Sequence, residues 1–289
     1  MFVVASAFTR EYHSHAFLEM LQNIPDMTWT PTIPDRFKGM SHEEVHAHFM
    51  PASYTTPIQT AEKVQVVGAA PASFSWLDYR PHCLTVRDQG KCGSCWAFSS
   101  VGSFSDNRCI KYFTETHTVY SEQYMVSCDK NCHGCNGGYL SKDVAFLKST
   151  GVTTDKCVSY KSGKTNVTGS CPTKCDDGSN INLIKSKGFK NVCSGEESIK
   201  NALQTDTLQT ALTVYDDLMY YKNGIYQHKS GAQKGGHAVI FVGYGEEKGI
   251  KYWVVRNSWG TSWGERGYFR IVRGKNECNI EHECYLIEV

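Results

Sequence analysis

Residues 71–289 read as a helical half followed by a sheet half, an order that predicts an α+β fold of two lobes with a cleft between them. Three observations lead there. Apolar residues keep helical spacing from Cys95 to Phe113, they fall into short strand-like runs beyond about residue 205, and all 13 cysteines lie after residue 70. Residues 1–70 form a separate N-terminal segment.

Taken in order, residues 1–7 (MFVVASA) end in the small-residue box Ala5-Ser6-Ala7 and read as the tail of a signal peptide whose beginning is missing. Two short helices are expected over 16–22 and 42–49, the second opened by a capping box of Ser41 and Glu44. Periodicity disappears over 51–70, so an extended connection is expected. Ala97, Val101, Phe104 and Cys109 mark a helix beginning near Cys95; shorter helices follow from Ser121 and from Ser141, the latter closed by Gly151. The strands are LQTALTVY, GIYQH, HAVIFVGYG, KYWVVRNSW and GYFRIVRG. GYGEEKG at 243–249 superficially resembles a nucleotide loop, but it joins two strands and reads as a hairpin turn.

Composition narrows the function. With 40% hydrophobic and 12% aromatic residues the chain is neither disordered nor collagen-like. A net charge of +1 from 30 basic and 29 acidic residues leaves no electrostatic footprint for nucleic acid. Thirteen cysteines point to an oxidising, secretory route, and the odd total allows six pairs and one free thiol. No run reaches the roughly 18–20 apolar residues of a membrane span, so a soluble protein is expected.

The densest chemical signal is Gln89-Gly90-Lys91-Cys92-Gly93-Ser94-Cys95-Trp96. Gly235-Gly236-His237-Ala238 and Asn257-Ser258-Trp259-Gly260 follow, each block once and in that order. A thiol with a pKa of about 8.5 is mostly protonated at neutral pH, so a thiolate nucleophile needs a positive dipole or a cation beside it. A helix starting at Cys95 supplies the dipole, and His237 supplies the cation as imidazolium. Asn257 would orient that ring without adding a negative charge, and Trp259 would keep water from their contact. Gln89 could join the Cys95 backbone N–H as oxyanion donor. Each residue alone has a plainer reading, as a half-cystine, a core histidine or a loop amide; the three blocks together favour catalysis.

Two metal readings compete. Cys128, Cys132, His133 and Cys135 could hold zinc, though disulfides account for them better. His42-Glu43-Glu44-Val45-His46 matches H-E-x-x-H, but the match is short and lies in the segment expected to be discarded. That segment carries a net of −3 from 4 basic and 7 acidic residues, against +4 for the remainder. Protonating its five histidines, His13, His15, His42, His46 and His48, would bring it to +2, which predicts release by acid. Asn166-Val167-Thr168 is a glycosylation sequon.

On PASFSWLDYR, DQGKCGSCWAFSS, CNGGY, YKNGIYQH, GGHAV, NSWGTSWG and CNIE, residues 71–289 resemble the papain family of cysteine peptidases, in its cathepsin B branch. The resemblance implies a helical left domain (71–180) carrying Cys95, a β-barrel-like right domain (181–277) carrying His237 and Asn257, and a tail (278–289) returning to the cleft. It makes 1–70 a signal-peptide remnant and an inhibitory prosegment that runs backwards through the cleft and is removed near Ala70 or Pro71. It implies disulfides Cys83–Cys109, Cys92–Cys135, Cys128–Cys171 and Cys157–Cys175, with Cys132, Cys193, Cys278 and Cys284 left open. Substrate backbone would lie on Gly137 and Gly138, and Glu283 would sit at the floor of the S2 pocket. Between Gly151 and Cys171 there is no histidine and too little chain for the branch's occluding loop, so endopeptidase action is expected. The chain is expected to act as a monomer on proteins and peptides, without cofactor or metal, in a lysosome-like compartment, a secretory vacuole or outside the cell. The alternatives weighed are a cathepsin B-like exopeptidase and a catalytically silent binding relative.

Overall fold

The computed structural model describes residues 11–54 and 69–289, so the signal-peptide reading of 1–7 and most of the 51–70 connection lie outside the described residues. In the N-terminal segment, Ser14 caps α1 (His15–Gln22), β1 (Trp29–Pro31) follows, and α2 (His42–His46) opens on the Ser41–Glu44 capping box. α2 is shorter than the sequence suggests. After it the backbone leaves the helix so that Met50 can exchange both main-chain hydrogen bonds with Gly236, at 2.9 and 2.8 Å.

The helical half contains β2 (Phe74–Ser75), α3 (Trp76–Tyr79), α4 (Cys95–Lys111), α5 (Glu122–Cys128), α6 (Leu140–Ser149) and α7 (Ser162–Thr165). α4 is buried almost all round, with Trp96, Ala97, Val101 and Phe104 sharing the helix with buried Ser99, Ser100, Ser103 and Asn107. A helix wrapped by protein on all sides has no reason to keep a polar outer face.

The sheet half contains β3 (Gly188–Asn191), α8 (Glu196–Leu203), β4 (Leu208–Tyr215), β5 (Tyr221–Tyr226), β6 (Gln233–Glu247), β7 (Ile250–Arg256), β8 (Tyr268–Val272) and β9 (Cys284–Glu288). Their order is β1-β5-β8-β7-β6-β4-β9-β3, with β2 also pairing β6. Thus the N-terminal segment adds an edge strand through β1, and the start of the helical half adds another through β2. β9 lies between β4 and β3, while its Tyr285 and Ile287 pack into the helical lobe's core. The β6–β7 hairpin turns on Lys248 and Gly249, both at positive φ (51° and 77°), as a two-residue turn requires. β5 begins earlier than GIYQH suggests and ends at Tyr226, and β7 stops at Arg256, so Asn257 stands just beyond the ladder. Among the described residues no helix is long and apolar enough to cross a membrane.

Each lobe has its own core. One gathers Phe241, Trp253, Trp259, Trp263 and Phe269 and takes in Leu21, Trp29, Phe37, Val45 and Phe49 of the N-terminal segment; the other surrounds Cys95, Trp96, Phe104 and Leu140. Between the lobes, Arg256 at the end of β7 meets buried Asp106 of α4 at 2.8 Å. Removing either partner would strand a buried charge at a cost of about 3–5 kcal/mol.

Five disulfides close: Cys83–Cys109, Cys92–Cys135, Cys128–Cys171, Cys157–Cys175 and Cys193–Cys284. Cys95, Cys132 and Cys278 stay free, so the odd total comes from three thiols and not from the one free thiol that six pairs would leave. Cys128 and Cys135 are thereby unavailable to a metal, which leaves Cys132 and His133 as the remainder of that candidate set.

Candidate active site

Cys95 is the first residue of α4, and a disulfide on Cys92 fixes the loop that leads into it. The helix N-terminus brings its positive end to the sulfur. From the other lobe, β6 carries His237 and Ala238. His237 Nε2 donates to Asn257 Oδ1 at 2.7 Å, and the Ser258 amide donates to the same oxygen at 2.7 Å. This places the imidazole proton on Nε2 and leaves Nδ1 with no partner among the described residues. Trp259, fully buried, stacks on the imidazole with ring centroids 4.6 Å apart and planes 25° apart.

Gln89 is gripped at both ends. Ser258 Oγ donates to its Oε1 at 2.7 Å, and its Nε2 donates to the carbonyls of Cys92 and His48, each at 3.0 Å. Ser258 therefore ties Gln89 to Asn257, a link the sequence gives no sign of beyond the adjacency of Asn257 and Ser258. The His48 carbonyl belongs to the N-terminal segment.

The described residues 37–54 of that segment lie against the cleft at several points. Phe37 lies edge-on to Trp259 at 5.4 Å, Phe49 lies edge-on to His237 at 6.4 Å, and Met50 pairs with Gly236. Tyr54 stacks on His133 at 5.1 Å. A Cβ on Gly137, whose φ is +102°, would stand 3.0 Å from the Tyr54 ring. Gly138 differs: a Cβ there would come within 2.6 Å of the Trp96 ring, so its small size serves packing under the cleft floor. Beside the cleft, Arg36 pairs with Asp88 at 2.7 Å.

Burial disfavours charge on both groups while the segment covers them. Burial pushes the Cys95 thiol up to about 12, against the opposing pull of the Ala238 amide, and pushes the His237 imidazole down to about 4. The sequence leads one to expect thiolate and imidazolium; with the segment in place, burial works against that separation of charge.

The segment's five histidines divide. His13 and His48 are buried, His13 against the Met219 carbonyl at 3.2 Å and His48 with Nδ1 at 2.8 Å from the Glu44 carbonyl. Burial lowers both, and His48 falls to about 4 with the Arg36 charge adding to the effect and Asp88 opposing it. Of the H-E-x-x-H pair, His42 stands against Tyr12 and His46 against Phe49.

Glu283 is buried beside a cavity of about 170 Å³ that Ala211, Leu212, Asn279 and His282 also line. Its Oε1 accepts from Tyr285 Oη at 3.0 Å, and burial raises the carboxyl to about 7.

A model of the papain family cysteine proteases matches residues 70–287. The chain belongs to the papain family of cysteine proteases. Within the family it is cathepsin B-like. Cathepsin B-like CP3 of Giardia intestinalis is 48% identical over 261 residues, covering 88% of this chain and 87% of the relative, and CP2 of the same organism is 45% identical over 267 residues, covering 89% and 88%. Among solved structures, procathepsin B S9 from Trypanosoma congolense superposes with a TM-score of 0.86 at 27% identity, over 97% of this chain and 100% of that one. That neighbour is a proform, and the two-lobed fold with a covering segment is a papain-family proform architecture.

Proposed function

We propose that this protease is an endopeptidase blocked by its own N-terminal segment, with Cys95 as nucleophile, His237 as acid–base and Asn257 as the residue that orients the imidazole. Once the segment leaves, water and the α4 N-terminus favour ionisation, and the Cys95 proton passes to His237 Nδ1. The sulfur adds to the substrate carbonyl, and the Gln89 side-chain amide with the Cys95 backbone N–H stabilises the oxyanion. His237 then gives its proton to the leaving amine, and water hydrolyses the thioester to regenerate the thiol.

The observation that carries this reading is the His48 carbonyl on Gln89 Nε2, because it places a peptide carbonyl at the donor proposed to polarise the substrate's. Gly137 and Trp259 would border the bound peptide, Gly138 would support the floor from below, and Glu283 would accept a basic P2 side chain. Endopeptidase action is favoured by the 151–171 stretch, which has no histidine and folds back onto the Gln89 loop. There Tyr160 Oη donates to the Gln89 carbonyl at 2.8 Å and the Lys91 amide donates to the Gly163 carbonyl at 2.8 Å. Five disulfides suit a lysosome-like, vacuolar or extracellular site of action. The test is to digest a protein library with the activated enzyme and sequence the fragments. Internal cuts with a P2 preference are expected; dipeptides trimmed stepwise from C-termini would replace this reading with exopeptidase action, and no cleavage with Cys95 intact would leave a binding protein.

A further inference from the structure

The loop after α7 carries the chain's single Asn-x-Ser/Thr sequon, Asn166-Val167-Thr168. Asn166 terminates α7 in the left-handed region (φ 55°, ψ 28°), a conformation asparagine tolerates, and it is exposed. Its side-chain amide makes no hydrogen bond among the described residues. The loop behind it is fixed: Thr168 Oγ1 accepts from the Cys135 amide at 3.1 Å, Ser162 Oγ donates to the Val167 carbonyl at 2.7 Å, and Cys171 is tied to Cys128. A free asparagine amide is thus presented on a rigid mount.

Its position gives the site a consequence. Asn166 and Asn136 line an opening of about 380 Å³ together with Lys234 of the sheet lobe and Ala47 and Met50 of the N-terminal segment, which lies in the cleft. Anything attached at Asn166 stands at the mouth of the groove the segment occupies.

We propose that Asn166 bears an N-linked oligosaccharide, and that this glycan screens the cleft against folded protein surfaces while admitting extended peptides. In the transfer, the Asn166 amide nitrogen bonds to the anomeric carbon of a lipid-pyrophosphate-linked oligosaccharide. The anomeric C–O bond breaks, its electron pair leaves with the pyrophosphate, and the amide proton is lost to base. The donor is met on the secretory route that five disulfides independently point to. A hydrated glycan too bulky to enter the cleft obstructs whatever must approach within its reach, and an extended chain needs far less room than a folded surface. The glycan assignment stands apart from the peptidase reading; the screening of substrates rests on it.

The test uses the full chain secreted from a eukaryotic host. Peptide-N-glycosidase should lower its mass and leave aspartate at position 166, and Asn166→Gln should migrate like the treated protein. After activation, the glycosylated enzyme, the deglycosylated enzyme and Asn166→Gln should cleave a blocked dipeptide substrate at equal rates. The two forms without glycan should cleave a folded protein several-fold faster, through a lower KM. An unmodified Asn166 in the secreted chain overturns the site. A modified Asn166 with identical rates on the folded protein overturns the screening. Loss of dipeptide hydrolysis in all three forms, with the glycan present, sinks the peptidase reading and its screening role and leaves the modification standing.

Discussion

The N-terminal segment and the body beneath it are held by different forces. The body closes five disulfides and supplies eight of the nine strands that run β1 to β9; residues 11–54 hold no cysteine and contribute only the three-residue β1. What keeps the segment in place is apolar burial, with Leu21, Trp29, Phe37, Val45 and Phe49 in the sheet lobe's core, and a few hydrogen bonds along the cleft. The contrast separates a covalently stapled body from a cover held by non-covalent contacts alone among the described residues.

The largest effect should come from the body. Cys95→Ala should lower turnover of a blocked dipeptide by roughly 10⁴-fold or more with little change in substrate binding, measured on the activated enzyme. Retained turnover would move the chemistry away from this sulfur. On the cover, Phe37→Ala should weaken docking by about 3–5 kcal/mol, because the ring is fully buried against Trp259. Autoprocessing near neutral pH should speed up accordingly; an unchanged processing rate would mean that apolar contact is not what retains the segment.

Acid should act through the same cover. His48 has its imidazole lowered to about 4 when docked, against 6.5 when free. The released segment therefore takes up a proton before the docked one does, so docking is at full strength above pH 6.5 and weakens as pH falls towards 4. The loss amounts to roughly 3 kcal/mol at the lower end. Facing His48 are Arg36 and Asp88, and His237 across the cleft. His48→Gln should flatten the pH profile of processing, with the exposed His15→Gln as control. A profile equally steep in both would show that charge elsewhere drives release. The smallest effect concerns Glu283, whose carboxyl, raised to about 7, is charged above that pH and neutral below. Preference for arginine over phenylalanine at P2 should decline as pH drops from 8 to 5, and Glu283→Gln should show the weaker preference throughout. A preference independent of pH in the wild type would place the P2 contact elsewhere.

Much of the site was legible because its residues sit in dense local blocks: Gln89 to Trp96, Gly235 to Ala238 and Asn257 to Gly260 each concentrate several requirements in a few positions. Strands with alternating or continuous apolar runs, such as β4, were legible for the same reason. β1, β2 and β3 were not, since two to four residues carry no periodicity and form strands only because a partner offers unpaired backbone. α2 ended early for a like reason, when Met50 found Gly236. The division of the five histidines into buried and unburied had no signature in spacing at all.

By itself the sequence determined which chemistry is possible: one thiol at a helix start, one imidazole in a strand, one amide to orient it, and enough cysteine to build several disulfides. Tertiary structure alone decided the burial that opposes charge on that pair, the capture of Gln89 by the His48 carbonyl, the three free thiols and which of the segment's histidines are buried. The reason is that residue type fixes what a group can donate, accept or ionise, whereas its energy depends on the water and charges left around it after distant parts of the chain have packed together.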